Sequence, residues 1–110
     1  VFPVRDLAPA LAHYATLGFT TFAHDGGSDY GFANRQGIGI HLDAHADHDP
    51  SGGVVTYLYV ADADALYGEW SRPGIAGTTR PVGPTSYKMR EGSHTDPDGN
   101  LIRFGSPIEQ

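Results

Sequence analysis

Apolar and polar positions alternate along this chain in two registers, one that suits strands and one that suits helices. Phe2 to Val4 is a short apolar run. Leu7, Leu11, Tyr14 and Leu17 then recur at three- and four-residue steps, which places them on one helical face. Asp6 precedes this stripe as a helix N-cap, Pro9 falls in the first turn, and Gly18 closes the helix as a left-handed cap. Strands are expected over 19–24, 30–34 and 37–42, with a turn at Asp25-Gly26-Gly27-Ser28-Asp29. The order is β-α-β-β-β.

The same order returns in the second half. Val54 to Val60 is apolar, β-branched and aromatic, the clearest strand of the chain. Asp62 caps a second helix whose stripe is Ala63, Leu66 and Trp70, with Tyr67 beside it and Gly74 at its end. Residues 73–86 read as a loop-rich stretch around one short strand. Strands follow over 87–94 and 101–105, joined by the turn Asp96-Pro97-Asp98-Gly99. Val4, Asp6, Tyr14 and Gly18 are echoed at one constant offset by Val60, Asp62, Trp70 and Gly74. Gly37, Ile40, His41 and Leu42 are echoed at another by Gly99, Ile102, Arg103 and Phe104. Such a repeat is the primary organising signal of a chain. It divides this one into a first module at 1–44, a linker at 45–53 and a second module at 54–107, within a single domain. The fold class is α+β, two βαβββ units that enclose a cleft.

Composition narrows the chemistry. The chain has 110 residues, of which 39% are hydrophobic and 18% charged, and 15 Gly and 8 Pro fit many tight turns. A net charge of −6 excludes the basic stripe that nucleic acid requires and favours a cationic small ligand. There is no Cys, hence no disulfide and no thiol nucleophile. No apolar run approaches the roughly 18 residues of a membrane span. No signal peptide is visible, and the chain starts at Val1, not Met, so some N-terminal sequence is expected to be missing. A cytoplasmic location is the default expectation. No Gly-x-Ser-x-Gly elbow and no phosphate-cradling glycine loop is present.

Alternation assigns faces. Ile40, Leu42, Ile102 and Phe104 should pack on the helices, with Leu58 and Val60, leaving His41, Asp43, Leu101, Arg103, Val55, Tyr57 and Tyr59 on the other face. Tyr14 and Trp70 are core by their helix positions, and Phe19, Phe22 and Phe32 are core candidates. His94 reads as a strand-surface residue. His41, Asp43, His45, Asp47, His48 and Asp49 look like a metal cluster, but most of them lie in the linker, where a His- and Asp-rich loop is commonly a solvated connection. Arg103 can anchor an anionic group or pair with Asp43 or Glu91.

Val4-Arg5-Asp6-Leu7, Leu17-Gly18-Phe19, Leu66-Tyr67-Gly68-Glu69-Trp70, Met89-Arg90-Glu91 and Asp96-Pro97-Asp98-Gly99-Asn100 occur in this order over nearly the whole chain. In that set the chain resembles the vicinal oxygen chelate superfamily of glyoxalases, bleomycin-resistance proteins and extradiol dioxygenases, and most resembles the bleomycin-resistance type. The resemblance implies sheets curved into an open barrel and a homodimer. It also implies four inward metal slots in the enzymes. The first falls before Val1, and the others fall on His41, Val55 and Arg103. Val55 cannot ligate and Arg103 repels a cation, so no metal or other cofactor is expected. Tyr30 matches an aromatic position lining the drug pocket, and Tyr87 and Lys88 fall where those proteins carry a stacking Trp that this chain lacks.

The expected site is therefore Tyr30, His41, Asp43, Val55, Tyr57, Tyr59, Tyr87, Lys88, Leu101 and Arg103. It is an aromatic-walled pocket for a flat, polycyclic or heteroaromatic ligand, cationic if charge steers it. The expected function is non-catalytic sequestration of an antibiotic-type molecule. The alternatives are a metal-dependent lyase, isomerase or dioxygenase of the superfamily, or a metal-free enzyme using His41 as base.

Overall fold

A computed structural model describes residues 1–108. The first half runs β1 (Phe2–Val4), α1 (Leu7–Thr16), β2 (Thr20–Ala23), β3 (Tyr30–Arg35) and β4 (Ile38–Ala44). The second runs β5 (Val55–Tyr59), α2 (Ala63–Trp70), β6 (Thr78–Pro84), β7 (Met89–Thr95) and β8 (Leu101–Pro107). Each half makes one four-stranded sheet, ordered β1-β4-β3-β2 and β5-β8-β7-β6. In both, the first strand pairs parallel with the last, and the other ladders are antiparallel. This is the α+β repeat the sequence announces. No ladder joins the two sheets among the described residues, and the molecule is elongated at 47 × 27 × 26 Å.

Each sheet carries its helix on one face and leaves the other open. α1 packs closely on Gly31, where a side chain would crowd Leu7 and Leu11 at 3.0 Å. The core is one cluster shared by both halves, built on Val4, Tyr14, Leu17, Phe19, Leu42, Trp70, Ile102 and Phe104. At the junction the Trp70 indole N–H donates to the Leu17 carbonyl at 2.9 Å. Arg35 donates twice to Glu69, at 2.6 and 2.8 Å, and once to the Leu17 carbonyl at 2.6 Å. The turn before β8 is a second clamp. Asn100 is fully buried, donates to the Pro3 carbonyl and accepts from the Val54 amide, so it ties β1 to the start of β5.

Several details differ from the sequence expectation. Asp62 caps α2 through the Ala65 amide, but the Asp6 side chain makes no cap bond. Gly18 takes φ 88° just past α1. Gly74 does not end α2, which stops at Trp70. Pro73 is the reason, since a proline disfavours helical backbone in the residue before it. The stretch expected to be loop-rich holds a seven-residue strand, β6, with a register shift between Arg80 and Gly83. Tyr87 and Lys88 precede β7 in a turn, with Lys88 at φ 63°. His94 is not a surface residue but fully buried, because it shares the helix-side face of β7 with Gly92. Among the described residues, no helix is long and apolar enough to cross a membrane.

Candidate functional site

The open face of the first sheet is a wall of rings. Parity along β3 puts Gly31 and Ala33 under the helix and Tyr30, Phe32 and Asn34 outward. Phe32 lies opposite Phe22 on β2 and His41 on β4. Its ring centroid is 5.1 Å from Phe22, 4.9 Å from His41 and 5.6 Å from Tyr30. Phe22 is 50% exposed, and Phe32 is half-buried on the same face. Both therefore belong to the wall and not to the core, where Phe19 does lie. The Tyr30 hydroxyl and His41 Nδ1 are 2.8 Å apart, which fixes the imidazole and turns its other nitrogen away from Tyr30. Asp43 continues this face beyond His41 and pairs with His45 at 3.0 Å.

The open face of the second sheet is a charged and phenolic network. β5 directs Val55, Tyr57 and Tyr59 outward, with Val55 63% and Tyr59 80% exposed, while Leu58 packs toward the core. The Tyr57 and Tyr59 rings are 5.0 Å apart. Val55 lies opposite Leu101 and Tyr57 opposite Arg103 on β8. The Arg103 guanidinium sits 5.8 Å above the Tyr57 ring and donates to Glu91 from Nε at 3.1 Å and Nη2 at 2.6 Å. Of the two partners open to Arg103 in the sequence, Glu91 is the one it takes. The Tyr87 hydroxyl also donates to Glu91 and accepts from Arg103 at 3.1 Å. Lys88 stands in the adjoining turn and is exposed.

The electrostatics follow from these contacts. Burial alone would raise the Glu91 carboxyl, but the bonds from Tyr87 and Arg103 outweigh it and hold the group below its ordinary value. Burial, with Glu91 beside it, pushes the Tyr57 phenol up to about 12. Its oxygen is shielded from solvent and makes no bond of proper hydrogen-bond geometry. Gly105 makes room for it, since a side chain there would strike the Tyr57 hydroxyl. Glu91 is thus a saturated carboxylate and Arg103 a neutralised cation.

The expected site residues fall on two faces. Tyr30, His41 and Asp43 share the first sheet, while Val55, Tyr57, Tyr59, Leu101 and Arg103 share the second with Tyr87 and Lys88 at its rim. His41 and Glu91 stand on different sheets, each bonded to its own neighbours. The His- and Asp-rich stretch disperses as well. His48 Nε2 donates to the Asp98 carbonyl at 2.8 Å, and Asp49 accepts from the Ser51 amide at 3.0 Å. Among the described residues, no three His, Asp or Glu side chains converge as a metal site. Phe22, Phe32 and Glu91 are the wall residues absent from the expected set. The signal for Phe32 was the small Gly31 and Ala33 alternating with Tyr30 and Phe32, and Phe22 joins the wall through its pairing opposite Phe32.

No family model and no curated protein matches the chain. Solved structures match it over almost its whole length. A bleomycin resistance determinant encoded on the transposon Tn5 aligns with TM-score 0.83 at 24% identity, covering 96% of this chain and 92% of the other. A bleomycin-binding protein complexed with bleomycin aligns with TM-score 0.79 at 20% identity, covering 94% and 92%. A glyoxalase-related enzyme from Clostridium phytofermentans aligns with TM-score 0.75 at 20% identity, covering 97% and 91%. The chain therefore has the paired-βαβββ architecture of binding proteins and enzymes alike. That architecture is the glyoxalase/bleomycin-resistance fold.

Proposed function

We propose that this protein binds and sequesters a flat, aromatic, antibiotic-type small molecule and does not transform it. The observation that carries this reading is the wall formed by Phe22, Tyr30, Phe32 and His41, an open ring surface with one fixed imidazole. Rings of this kind stack on a flat ligand, and the His41 and Tyr30 polar atoms orient it. Support also comes from the second face. At the slots where the enzymes of the vicinal oxygen chelate superfamily hold metal, Val55 has no donor and Arg103 is committed to Glu91. Two of the solved structures that share this fold are described as a bleomycin resistance determinant and as a bleomycin complex.

In one chain each face is open, and the exposed Val55, Tyr59 and Phe22 are apolar surface of the kind that an interaction covers. In this proposal two copies associate so that the ring wall of one stands opposite the Arg103 face of the other, giving two clefts per homodimer. The net charge of −6 draws in a cationic ligand.

The test is a titration of the purified protein with bleomycin, mitomycin C and a polycyclic aromatic antibiotic, read by tyrosine emission and calorimetry. Tyrosine is the better reporter because the single Trp is buried at the junction. The expected result is micromolar or tighter binding of at least one compound, recovered chemically unchanged, with sedimentation giving a dimer. A compound released in altered form would replace binding with catalysis.

A further inference from the structure

The two halves also meet on a buried polar relay that neither open face uses. His13 on α1 is 7% exposed and His94 on β7 is fully buried. Their Nε2 atoms are 2.9 Å apart and their rings are stacked. The neighbours decide which nitrogen donates. The Thr79 hydroxyl lies 3.1 Å from the Trp70 carbonyl, to which it can only donate. Its oxygen therefore accepts the Nδ1–H of His94 at 2.7 Å. With that tautomer, His94 offers the lone pair of Nε2, and His13 donates its Nε2–H to it. The relay runs one way, from His13 in the first half through His94 and Thr79 to the last carbonyl of α2.

His94 has one nitrogen left to protonate, and it is the one that accepts from His13. Once His13 carries a proton on both nitrogens, a proton on His94 Nε2 sets two N–H groups head-on in a nearly dry site, and the bond becomes a repulsion. His13 differs, since its free nitrogen is Nδ1 and its ring borders a small recess with Asp96 and Asp98. A first proton on His13 has carboxylates near it and leaves the relay intact. Among the described residues, the other side chains set against the two rings are uncharged. α1 adds Tyr14, whose hydroxyl donates to Asp96 at 2.6 Å, and α2 and β6 add Trp70 and Thr79.

We infer that the His13–His94 pair is an acid-operated latch between the two halves of the chain, closed while His94 is neutral and broken when it takes a proton. Burial, with His13 beside it, lowers the His94 pKa from 6.5 to about 4 against the pull of Asp96. Burial also lowers His13, which Asp96 and Asp98 oppose. The sign is fixed by which form binds the proton more easily. An opened junction takes it near pH 6.5 and the closed one only near 4. Above 6.5 the latch holds in full, and between these values closure weakens by about tenfold per pH unit.

Trp70 is the only Trp and lies edge-on to His94 at 5.7 Å, so it reports the junction directly. Acid titration of the full chain, read by Trp emission wavelength and small-angle scattering, should show a red shift and an expansion within that window. His94→Gln cannot take a proton but keeps an acceptor for His13. It should hold the native emission through the window and yield only at lower pH, where carboxylates protonate. The same midpoint in wild type and His94→Gln, or quenching in wild type without red shift or expansion, would overturn the latch. Imidazole nitrogen NMR of the wild-type chain decides independently of whether the variant folds. It should show the Nδ1–H tautomer of His94 at neutral pH and a pKa well below 6.5. An Nε2–H tautomer, or an ordinary pKa, would also overturn it.

Discussion

Rings fill the junction between the halves, and rings also line the open faces, yet the two sets are built for opposite purposes. At the junction Tyr14, Phe19, Trp70 and Phe104 are buried, and the polar atoms of Tyr14 and Trp70 each have a partner within the protein. On the open faces Phe22, Tyr59 and Tyr87 are half-exposed or more, and the Tyr57 hydroxyl is left without a proper bond. Residue type does not separate the two sets. What separates them is whether a ring points toward its helix or away from it, and the energetics should follow that geometry. The sharpest way to break the comparison is Trp70→Ala. It removes the ring that packs edge-on against Phe104 and His94 and the N–H that binds the Leu17 carbonyl. Loss of a buried Trp costs about 3–5 kcal/mol. Urea unfolding should show that loss, and a loss below about 1 kcal/mol would mean the junction is not where stability resides.

The geometry was partly legible from the sequence. Along β4 and β8 the pattern Ile40-His41-Leu42 and Ile102-Arg103-Phe104 alternates large apolar with polar residues, so period two assigns both faces without ambiguity. Along β3 the helix-side positions are Gly31 and Ala33, and hydrophobicity alone then draws Phe32 into the core. The error has a physical cause. α1 approaches closely enough at Gly31 to favour a small residue on the helix side, and the large residues go to the open side. His94 misleads in the same way, since its helix-side neighbour on β7 is Gly92. Arg103 left a choice of partners because Asp43 lies on the other sheet, and no strand-level reading sets the distance between two sheets. The Asp96-Pro97-Asp98-Gly99-Asn100 run is legible as a turn, but its work as a clamp on β1 and β5 depends on contacts far along the chain.

That clamp gives the second prediction. Asn100→Ala leaves the Val54 amide and the Pro3 carbonyl without their partner and removes one bond to Asp96. Stranding a fully buried backbone group costs about 1–3 kcal/mol, and these two are only part-buried, so the variant should fall below wild type by about 1–2 kcal/mol in urea unfolding. A value near zero would show that the other contacts between the halves, Trp70–Leu17, Arg35–Glu69, Tyr14–Asp96 and His13–His94, hold them together without the clamp.

The third prediction moves to the second open face. Glu91→Gln removes the carboxylate that binds Arg103 and Tyr87. Arg103 is 43% exposed, so the loss of stability should be under about 1 kcal/mol. Glu91 titrates below its ordinary value, so its contribution is present above the unfolded carboxyl pKa and disappears as pH falls through the folded one. The variant should therefore lose part of the wild-type stability difference between neutral and acid pH. Phenolate absorbance should also show Tyr57 titrating below about 12, because burial remains and the adjacent charge does not.

The smallest effect on folding is the most telling. Phe22→Ala removes an aromatic ring of the same kind as Phe19, from a strand instead of the junction. Phe19 is 5% exposed and Phe22 is 50% exposed. A half-exposed ring is already in water on one side, and its loss leaves a dent open to solvent instead of a closed cavity. Substitutions of this kind stay within about 0.5 kcal/mol of wild type. If the ring wall serves a ligand, the same variant should weaken binding of the compound found by titration by about tenfold, the value of one aromatic stacking contact. A core role predicts the reverse, a clear loss of stability with affinity kept in whatever remains folded. Measuring unfolding and binding on the one variant therefore decides whether the face opposite α1 is packing left unfinished or a surface kept open for use.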